Sequence, residues 1–348
     1  MDISTLEITP QILKLIAEID EFKGSWQVLG TLTPERLAAL RKVATIESIG
    51  SSTRIEGVKL SDRQIETLLG NIDRKSLTTR DEQEVAGYAQ VMEILFESWE
   101  MMPLSENYIK QLHSMLLKYS AKDERHRGNY KSVENHIEAF DFQGNSLGIL
   151  FATASPFETP FLMEELVVWT RNAFEEGQLH PLLIIGIFIV QFLAIHPFQD
   201  GNGRLSRILT TWLLLKSGYT YVPYSSLETI IERNKDSYYL ALSRTQKSLQ
   251  TDRPHWTDWL QFFLRSLKKQ KDHLAVKLER ERILQTSLPE LSVEILKLAK
   301  EHGRITTGEI ERYTQASRST IKARINELIR MKKLRRNGKG RSTWYSLR

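Results

Sequence analysis

The twelve residues 196–207 read His-Pro-Phe-Gln-Asp-Gly-Asn-Gly-Arg-Leu-Ser-Arg. They follow the most apolar helical segment of the chain, Pro181 to Ile195, and precede a second one, Ile208 to Leu215. Polar groups packed between two such helices need partners or a function, because an unpaired buried polar group is costly. The stretch therefore predicts a buried pair of helices with a functional site in the loop between them.

The backbone of this loop is suited to binding an anion. Gly201 and Gly203 permit conformations that other residues avoid, and with Asn202 between them they can direct successive N–H groups at one point. A helix that begins here adds its positive end. We therefore expect this loop to bind phosphate groups.

The side chains of the loop add reactive and binding groups. Asp200 is a hard oxygen ligand that suits Mg²⁺ bridged to phosphates, and His196 can stay neutral and take a proton from a hydroxyl. Arg204 and Arg207 stand three residues apart, so both can approach one face of the following helix and bind phosphate oxygens. Phe198 is expected to point into the core.

Together these residues indicate phosphoryl or nucleotidyl transfer. A P-loop would need Gly-Lys-Ser/Thr, which is not found here. A dinucleotide-binding loop would need a third glycine where Ser206 stands, and a strand before it. The simplest alternative is a glycine turn between two helices with unrelated polar neighbours.

The twelve residues resemble the Fic-domain signature, His-Pro-Phe-x-Asp/Glu-Gly-Asn-Gly-Arg-x-x-Arg, at every defined position. A weaker resemblance extends over the body of the chain, from about Ser51 to Leu267. Most proteins of this family transfer AMP from ATP to a Ser, Thr or Tyr hydroxyl of a protein. The resemblance implies that His196 deprotonates the target hydroxyl and that Asp200 holds Mg²⁺ on the α- and β-phosphates.

The same resemblance assigns the phosphate contacts. Asn202 and the amides of Gly201 and Gly203 would surround the phosphates, and Arg204 and Arg207 would contact their β/γ end. Family members that lack the second arginine or the glycine pair tend to perform other phosphate chemistry. Because this chain keeps both, the resemblance favours AMP transfer.

A second motif, Ser52-Thr53-Arg54-Ile55-Glu56-Gly57, resembles the inhibitory-helix signature of the family, Ser/Thr-x-x-x-Glu-Gly/Asn. Ser52 and Glu56 are four residues apart, on one helical face. The resemblance implies that Glu56 pairs with Arg207 and occupies the guanidinium that the γ-phosphate needs. Its position ahead of the catalytic motif is that of the N-terminal inhibitory class. The alternative is an exposed helix end closed by Gly57.

Two further regions are matched more weakly to the family. A hairpin from about His136 to Ala154 stands where the family has a flap that pairs with the backbone of the target protein. Arg233-Asn234 and Tyr238-Tyr239 resemble residues on the adenine side of the nucleotide site. Of these, Asn234 and Tyr239 are predicted to bind the nucleotide. The alternative for the tyrosines is a place in the core.

The end of the chain differs in charge from its body. From Leu288 to Arg348 there are 15 Lys and Arg against 6 Asp and Glu, whereas the rest holds 33 against 37. The pattern of this tail predicts three helices and a two-stranded ribbon, which is the plan of a winged helix. Its basic residues favour contact with DNA. The alternative is a winged helix that binds protein.

Composition excludes several other classes. Without cysteine the chain has no disulfide, no cysteine-ligated zinc and no thiol nucleophile, and it fits a reducing cytoplasm. The acidic, amphipathic N-terminus does not resemble a signal peptide, and the longest apolar run is too short for a membrane span. We therefore expect a cytoplasmic protein with no membrane partner.

We predict an all-α Fic fold, a helical bundle with a small β-hairpin flap, followed by a C-terminal winged helix-turn-helix domain. Residues 1–80 would form a helical region with the inhibitory helix, 81–285 the catalytic core, and 286–348 the winged helix. The predicted function is Mg²⁺- and ATP-dependent adenylylation of a protein hydroxyl, including one of this chain's own. DNA and a second copy of the chain are further expected partners. The alternatives are a DNA-binding regulator with a nucleotide-sensing body, and a hydrolase that removes AMP.

Overall fold

The computed structural model describes residues 3–28, 34–70, 77–135, 137–140, 146–151, 153–249, 251, 253–286, 288–338, 340 and 343–348. Contacts between backbone positions divide the chain into two compact units, Met1–Leu274 and Ala275–Arg348. Helices dominate both units. In the part of the chain that the structure describes, no helix is long and apolar enough to cross a membrane.

The first unit is built from helices and one short hairpin. Its helices are α1 Pro10–Val28, α2 Pro34–Ile55, α3 Asp62–Gly70, α4 Arg80–Ser98, α5 Glu106–Leu116, α6 Thr159–Glu176, α7 Pro181–Ile195, α8 Asn202–Lys216, α9 Leu227–Arg233, α10 Lys235–Leu249 and α11 Thr257–Thr286. Helix α11 continues past the boundary between the units. One turn of 3₁₀ helix, Val222–Tyr224, precedes α9.

Helix α7 lies at the centre of this unit and is buried on nearly all sides. A helix that is apolar all round is one that other elements surround, and α6, α8 and α10 pack against it. Proline stands at its first position, and the ring of His180 caps it by accepting a hydrogen bond from Leu182 N. It ends at His196, because Pro197 has no N–H to continue the helix. The predicted buried helix is confirmed.

Helix α2 is longer than the sequence predicted. The apolar spacing of Leu37, Leu40, Val43 and Ile46 predicts a helix from Pro34 to Ile46, but the structure has one continuous helix as far as Ile55, which includes Ser52 and ends one residue before Glu56. The difference arises because the second half of α2 is buried by α9 and α4, so small polar residues there have partners that a surface helix would lack. Val43 was predicted to lie on the apolar stripe, but it is 50% exposed.

The sequence pattern of residues 226–248 predicts one helix, but the segment forms two, α9 and α10. The break is at Asn234, whose side-chain Nδ2 donates to Ile230 O at 2.7 Å and whose backbone leaves the helical region. An asparagine that bonds to its own helix in this way competes with the regular ladder.

The predicted hairpin is present in the described residues. Strands β1, Ile137–Phe140, and β2, Ser146–Phe151, pair antiparallel with two register shifts. His136, residues 141–145 and residue 152 of the predicted flap lie outside the described residues. Thr33, predicted to cap α2, lies outside them as well.

The second unit has its own core. It contains α12 Glu290–Glu301, α13 Thr307–Thr314 and α14 Arg318–Arg330, followed by the antiparallel strands β3 Leu334–Asn337 and β4 Trp344–Leu347. Ile295, Ile310, Ile321 and Leu328 are among the buried residues that hold these elements together. The backbone of Ile305 also pairs with that of Tyr345, which ties the segment before α13 to β4.

Candidate functional site

The loop between α7 and α8 has an unusual backbone at both of its ends. His196 closes α7 in the left-handed conformation, with φ of 53°, which is uncommon for a residue that carries a side chain. Gly201 precedes α8 with φ of 81°, a conformation that glycine adopts without steric cost. Helix α8 then begins at Asn202, so the N–H groups of its first turn face the loop.

Asn202 holds this loop in shape. Its side-chain Oδ1 accepts from Phe198 N at 2.9 Å, and its Nδ2 donates to Phe198 O at 2.6 Å. The residue is 1% exposed. The side chain predicted to bind phosphate is therefore engaged within the loop. Phe198 is fully buried and stacks on His113, as the core position predicted for it requires.

A cavity of about 240 Å³ opens against the loop. Its walls include eight of the predicted site residues, from both motifs, which are Glu56, His196, Asp200, Gly201, Asn202, Gly203, Arg207 and Tyr239. Tyr238 and Gln246 also line it. The fold thus brings residues that are about 190 positions apart in the chain to one cavity.

His196 is largely removed from water. Burial lowers the pKa of its imidazole to about 4, although the hydrogen bond with Leu193 O raises it. The charge of Lys131 lowers the pKa further. At neutral pH the ring is therefore neutral. With its Nδ1 donating to Leu193 O at 3.4 Å, the ring has Nε2 as an unprotonated acceptor.

Asp200 is oriented by two arginines. Arg204 Nη2 lies 3.0 Å from its Oδ1, and Arg80 Nη2 lies 3.2 Å from its Oδ2. Both arginines also pair with Glu84, at 2.9 and 2.7 Å. Burial alone would raise the pKa of Asp200, but Arg204, the N–H of Gly201 and Arg80 together keep it below its usual value. The group is a carboxylate at neutral pH.

This network changes the role expected of Arg204. The residue is 2% exposed and does not line the cavity. Its guanidinium reaches Asp200 and Glu84. Arg204 is therefore positioned to hold Asp200, and the described cavity offers it no direct access to phosphate.

Arg207 contacts the Ser52 motif. Its Nη2 lies 2.7 Å from Glu56 Oε1 and also donates to Ser52 O at 2.9 Å, while its Nε donates to Ser52 Oγ at 2.8 Å. Burial would raise the pKa of Glu56, but the charge and hydrogen bond of Arg207 outweigh it, so the pKa is lowered. The pair predicted from the two motifs is present, and both of its members are charged.

Gly203 lies directly beneath the carboxylate of Glu56. A Cβ placed at this position would clash with Glu56 Oε1. The absence of a side chain at Gly203 is therefore required for the observed position of Glu56. The glycine that favours an anion nest also admits this carboxylate to it.

The C-terminal half of α2 is held in place by polar contacts with α9 and its neighbours. Arg54 Nε and Nη2 donate to the carboxylate of Glu232 at 2.7 and 3.1 Å, and its Nη1 lies 2.8 Å from Asp62 Oδ1. Ser51 Oγ lies 2.9 Å from Thr229 Oγ1. These contacts fix the end of the helix that carries Glu56.

The predicted adenine side is only partly at the cavity. Tyr239 lines it, beside Tyr238, which is 4% exposed. Asn234 does not line it: its Nδ2 is bound to Ile230 O, and its Oδ1 accepts from Lys269 Nζ at 3.3 Å. Gln246 on α10, which the sequence analysis did not single out, places a buried Nε2 without a hydrogen-bond partner at this wall. Such a donor fits an acceptor on a ligand.

Several residues that support the site were also missed by the sequence analysis. Arg80 on α4 and His113 on α5 contact Asp200, with His113 Nε2 2.9 Å from Asp200 O, and Glu84 on α4 pairs with both arginines that hold Asp200. Lys131 and Asn135 hold the loop backbone. The sequence offers no signal for the contacts that reach the loop and α8, because each of them joins segments more than 60 positions apart.

Comparison with known proteins agrees with this geometry. Residues 103–214 match the sequence profile of the Fic/DOC family, so this part of the chain is similar to a Fic/DOC domain. The matched region includes the loop 196–207, whereas the Ser52 motif and the basic tail lie outside it.

The curated relatives are named protein adenylyltransferases. A protein adenylyltransferase Fic from Drosophila virilis is 28% identical over 209 residues, which cover 58% of this chain and 38% of that protein. A probable protein adenylyltransferase from Aquifex aeolicus is 33% identical over 100 residues, 29% of this chain and 28% of that protein. The chain thus matches well under half the length of these relatives.

Solved structures share the fold. A Fic family protein from Desulfovibrio desulfuricans superposes with a TM-score of 0.63 at 23% identity, covering 99% of this chain and 97% of the other. A Fic-domain-containing signalling protein from Bacteroides thetaiotaomicron gives 0.57 at 25% identity, covering 74% and 97%. The predicted Fic fold, mostly helical with a small β-hairpin, is confirmed at this level.

Proposed function

We propose that this chain is a protein adenylyltransferase that transfers AMP from ATP to a Ser, Thr or Tyr hydroxyl of a protein. The observation that carries the proposal is a neutral, partly buried His196 that lines the same cavity as Asp200 and the N-terminus of α8. A base, a carboxylate and a set of N–H donors at one place suit attack on a phosphate. The homologues named adenylyltransferases support the same chemistry.

In the proposed reaction, Nε2 of His196 takes the proton of the target hydroxyl. The hydroxyl oxygen forms a bond to the α-phosphorus, the bond from that phosphorus to the bridging oxygen breaks, and pyrophosphate leaves. The N–H groups at the start of α8 donate to the phosphate oxygens. Tyr239 and the unpartnered amide of Gln246 contact the nucleoside end.

The residues present fit Mg²⁺. In the described residues no group of three or more His, Asp or Glu side chains is arranged to hold a metal. Mg²⁺ in nucleotide sites is commonly held by one or two protein carboxylates and by the phosphates themselves, so Asp200 suffices on the protein side. Among the described residues, its Oδ2 has only the longer of the two arginine contacts, with Arg80, which is half-exposed. When bound, Mg²⁺ would neutralise phosphate charge.

We further propose that Glu56 keeps the enzyme in an inhibited state. The carboxylate is held against Arg207 above Gly203, where it would compete with the terminal phosphates of ATP. Like charges that meet at one guanidinium cannot both be accommodated in a buried site. Relief would require displacement of the end of α2 by a partner, by self-modification or by a second copy of the chain.

Incubation with α-labelled ATP tests the proposal. Label should appear on this protein or on an added partner, and His196→Ala should abolish it while nucleotide binding persists. Equal labelling of His196→Ala and the wild type would refute the mechanism. Release of AMP from a labelled protein, with no transfer from ATP, would favour the hydrolase instead.

We propose DNA binding as a second function, located in residues 286–348 as a winged helix. The supporting observation is the exposure of basic residues on one unit: Lys322, Arg330, Lys332, Arg335 and Arg336 all face solvent. The wing residues Lys339 and Arg341, and Ser342 of the predicted second strand, lie outside the described residues. Duplex binding should weaken steeply with salt and disappear in a 1–285 truncation. Salt-insensitive binding would contradict this function.

A further inference from the structure

Lys131 is a buried lysine that no part of the proposed reaction uses. It is 3% exposed, and its ammonium donates to three acceptors: Asn135 Oδ1 at 2.8 Å, Thr153 Oγ1 at 2.9 Å and Ile195 O at 3.0 Å. An ammonium has three donors, so the group is fully used. Two of its acceptors, Asn135 and Thr153, belong to the segments that enter and leave the β1–β2 hairpin. The third is the last residue of α7.

The same segment holds the loop that follows α7. Lys131 N donates to Pro197 O at 2.8 Å, and Asn135 Nδ2 lies 2.6 Å from Phe198 O and 3.4 Å from His196 O. Together with the ammonium, these groups satisfy four consecutive carbonyls, those of residues 195–198. The backbone around the base is therefore held from one side by a single short segment.

This support matters because of the conformation of His196. Its φ of 53° is in the left-handed region, where the Cβ of a residue crowds the following carbonyl oxygen. Such a conformation persists only where its surroundings impose it. Within the described residues, the contacts of Lys131 and Asn135 hold His196 in this conformation on the side that faces the hairpin.

We propose that Lys131 is a positioning residue: its ammonium joins both ends of the β1–β2 hairpin to the loop of His196 and holds that base in place for transfer. The inference rests on the proposed AMP transfer. The position of His196 then depends on the conformation at the ends of the β1–β2 hairpin. A target that pairs with the hairpin strands would thereby also influence the position of His196.

The electrostatic surroundings of Lys131 agree with this role. Burial lowers its pKa to about 8, while Glu134 and Glu158 raise it. The ammonium in turn lowers the pKa of His196. Lys131 is therefore charged at neutral pH and begins to lose a donor slightly above it. Arginine at this position would stay charged throughout.

The test compares variants in a Glu56→Gly background, where transfer is not inhibited. Lys131→Met should lower kcat for labelling roughly 10- to 100-fold, with KM for ATP within about twofold. Lys23→Met is the matched control, because Lys23 Nζ donates to Ser217 O at 2.9 Å, a carbonyl at the end of α8 away from the cavity. That control should leave kcat unchanged. An unchanged kcat in Lys131→Met, or a loss confined to KM, overturns the inference.

A pH profile separates positioning from general stability. Labelling by the Glu56→Gly parent should fall above about pH 8, as Lys131 loses its proton. Lys131→Arg should move this fall to higher pH, whatever its rate at neutral pH. If both proteins lose activity with the same midpoint, Lys131 does not position the base. This comparison also decides the question if Lys131→Met fails to fold.

A third measurement does not depend on transfer. Imidazole signals of His196, assigned by their loss in His196→Ala, report its pKa by NMR. Lys131→Met should raise that pKa above about 4, because a neighbouring positive charge is gone, and Lys23→Met should not. If the Glu56→Gly parent fails to label any protein, the proposed function fails. The NMR titration then decides the inference alone, and an unchanged pKa overturns it.

Discussion

Replacement of Glu56 by glycine should activate the enzyme, by an amount that follows from its contact with Arg207. The two side chains meet at 2.7 Å, and Arg207 is 3% exposed. A charge-assisted hydrogen bond of this kind contributes about 1.5–3 kcal/mol. Glu56 is 32% exposed, so solvent screening favours the lower half of that range. Since about 1.4 kcal/mol corresponds to a tenfold change, we expect a rise of roughly 10- to 40-fold.

The assay is the initial rate of transfer from α-labelled ATP, with ATP affinity measured separately. The rise should come from productive placement of the terminal phosphates at Arg207, and it should require His196. Glu56→Gln keeps an acceptor for Arg207 without the charge, so its rise should be smaller. Glu124→Gly is the matched control. Glu124 is 71% exposed, its Oε1 lies 3.9 Å from Arg127 Nη2, and neither residue lines the cavity.

Either of two results would refute this reasoning. If Glu56→Gly binds ATP as well as the wild type and labels no faster, Glu56 does not inhibit. A rise of equal size in Glu124→Gly would also refute it, because the effect would then be unrelated to the pair with Arg207.

Three further predictions concern the fold and the site. Unfolding of His196→Ala at pH 5 should take up about one proton fewer than unfolding of the wild type, measured by calorimetry in two buffers. The reason is that the pKa of His196 is lowered to about 4 in the folded protein and returns to its usual value on unfolding, so stability is lost as pH falls from about 6.5 towards 4. Equal proton uptake by the two proteins would contradict the lowered pKa of His196. Gly87→Ala should lower the free energy of unfolding by about 1–3 kcal/mol, because the added Cβ would clash with a backbone carbonyl of α5, whereas Gly24→Ala, with nothing nearby, should raise it by about 0.5–1 kcal/mol. Arg54→Ala removes the paired contact with Glu232 and should raise labelling roughly 3- to 10-fold by loosening the end of α2, an effect absent if that contact does not hold the helix.

Local chemistry accounts for what could be predicted. The histidine, the glycines and the arginines of residues 196–207 predict a loop between two helices. The structure has this loop between α7 and α8. The apolar run 181–195 predicts a buried helix, because its residues have no polar face to turn to water. A pair between the two motifs was expected from the resemblance, and Glu56 and Arg207 do meet.

The predictions that differ from the structure concern contacts across the chain. Helix α2 continues past Ile46 because α9 and α4 bury a stretch whose own residues carry little apolar pattern. Asn234 is turned to its own helix, away from the cavity, by a bond to a carbonyl one turn earlier. Neither outcome can be read from spacing, since each depends on which neighbour packs nearby.

Arg204 and Arg207, both in the first two turns of α8, show what the spacing of residues cannot predict. Their spacing of three residues places both near one face of α8 and makes both suitable for phosphate. In the fold, Arg207 reaches the cavity wall and Glu56, while Arg204 is buried between Glu84 and Asp200. The residue types and the loop were set by the local sequence. Which arginine reaches the cavity was decided by the packing of α4 and α2, because a buried guanidinium pairs with the carboxylate that the packing places beside it.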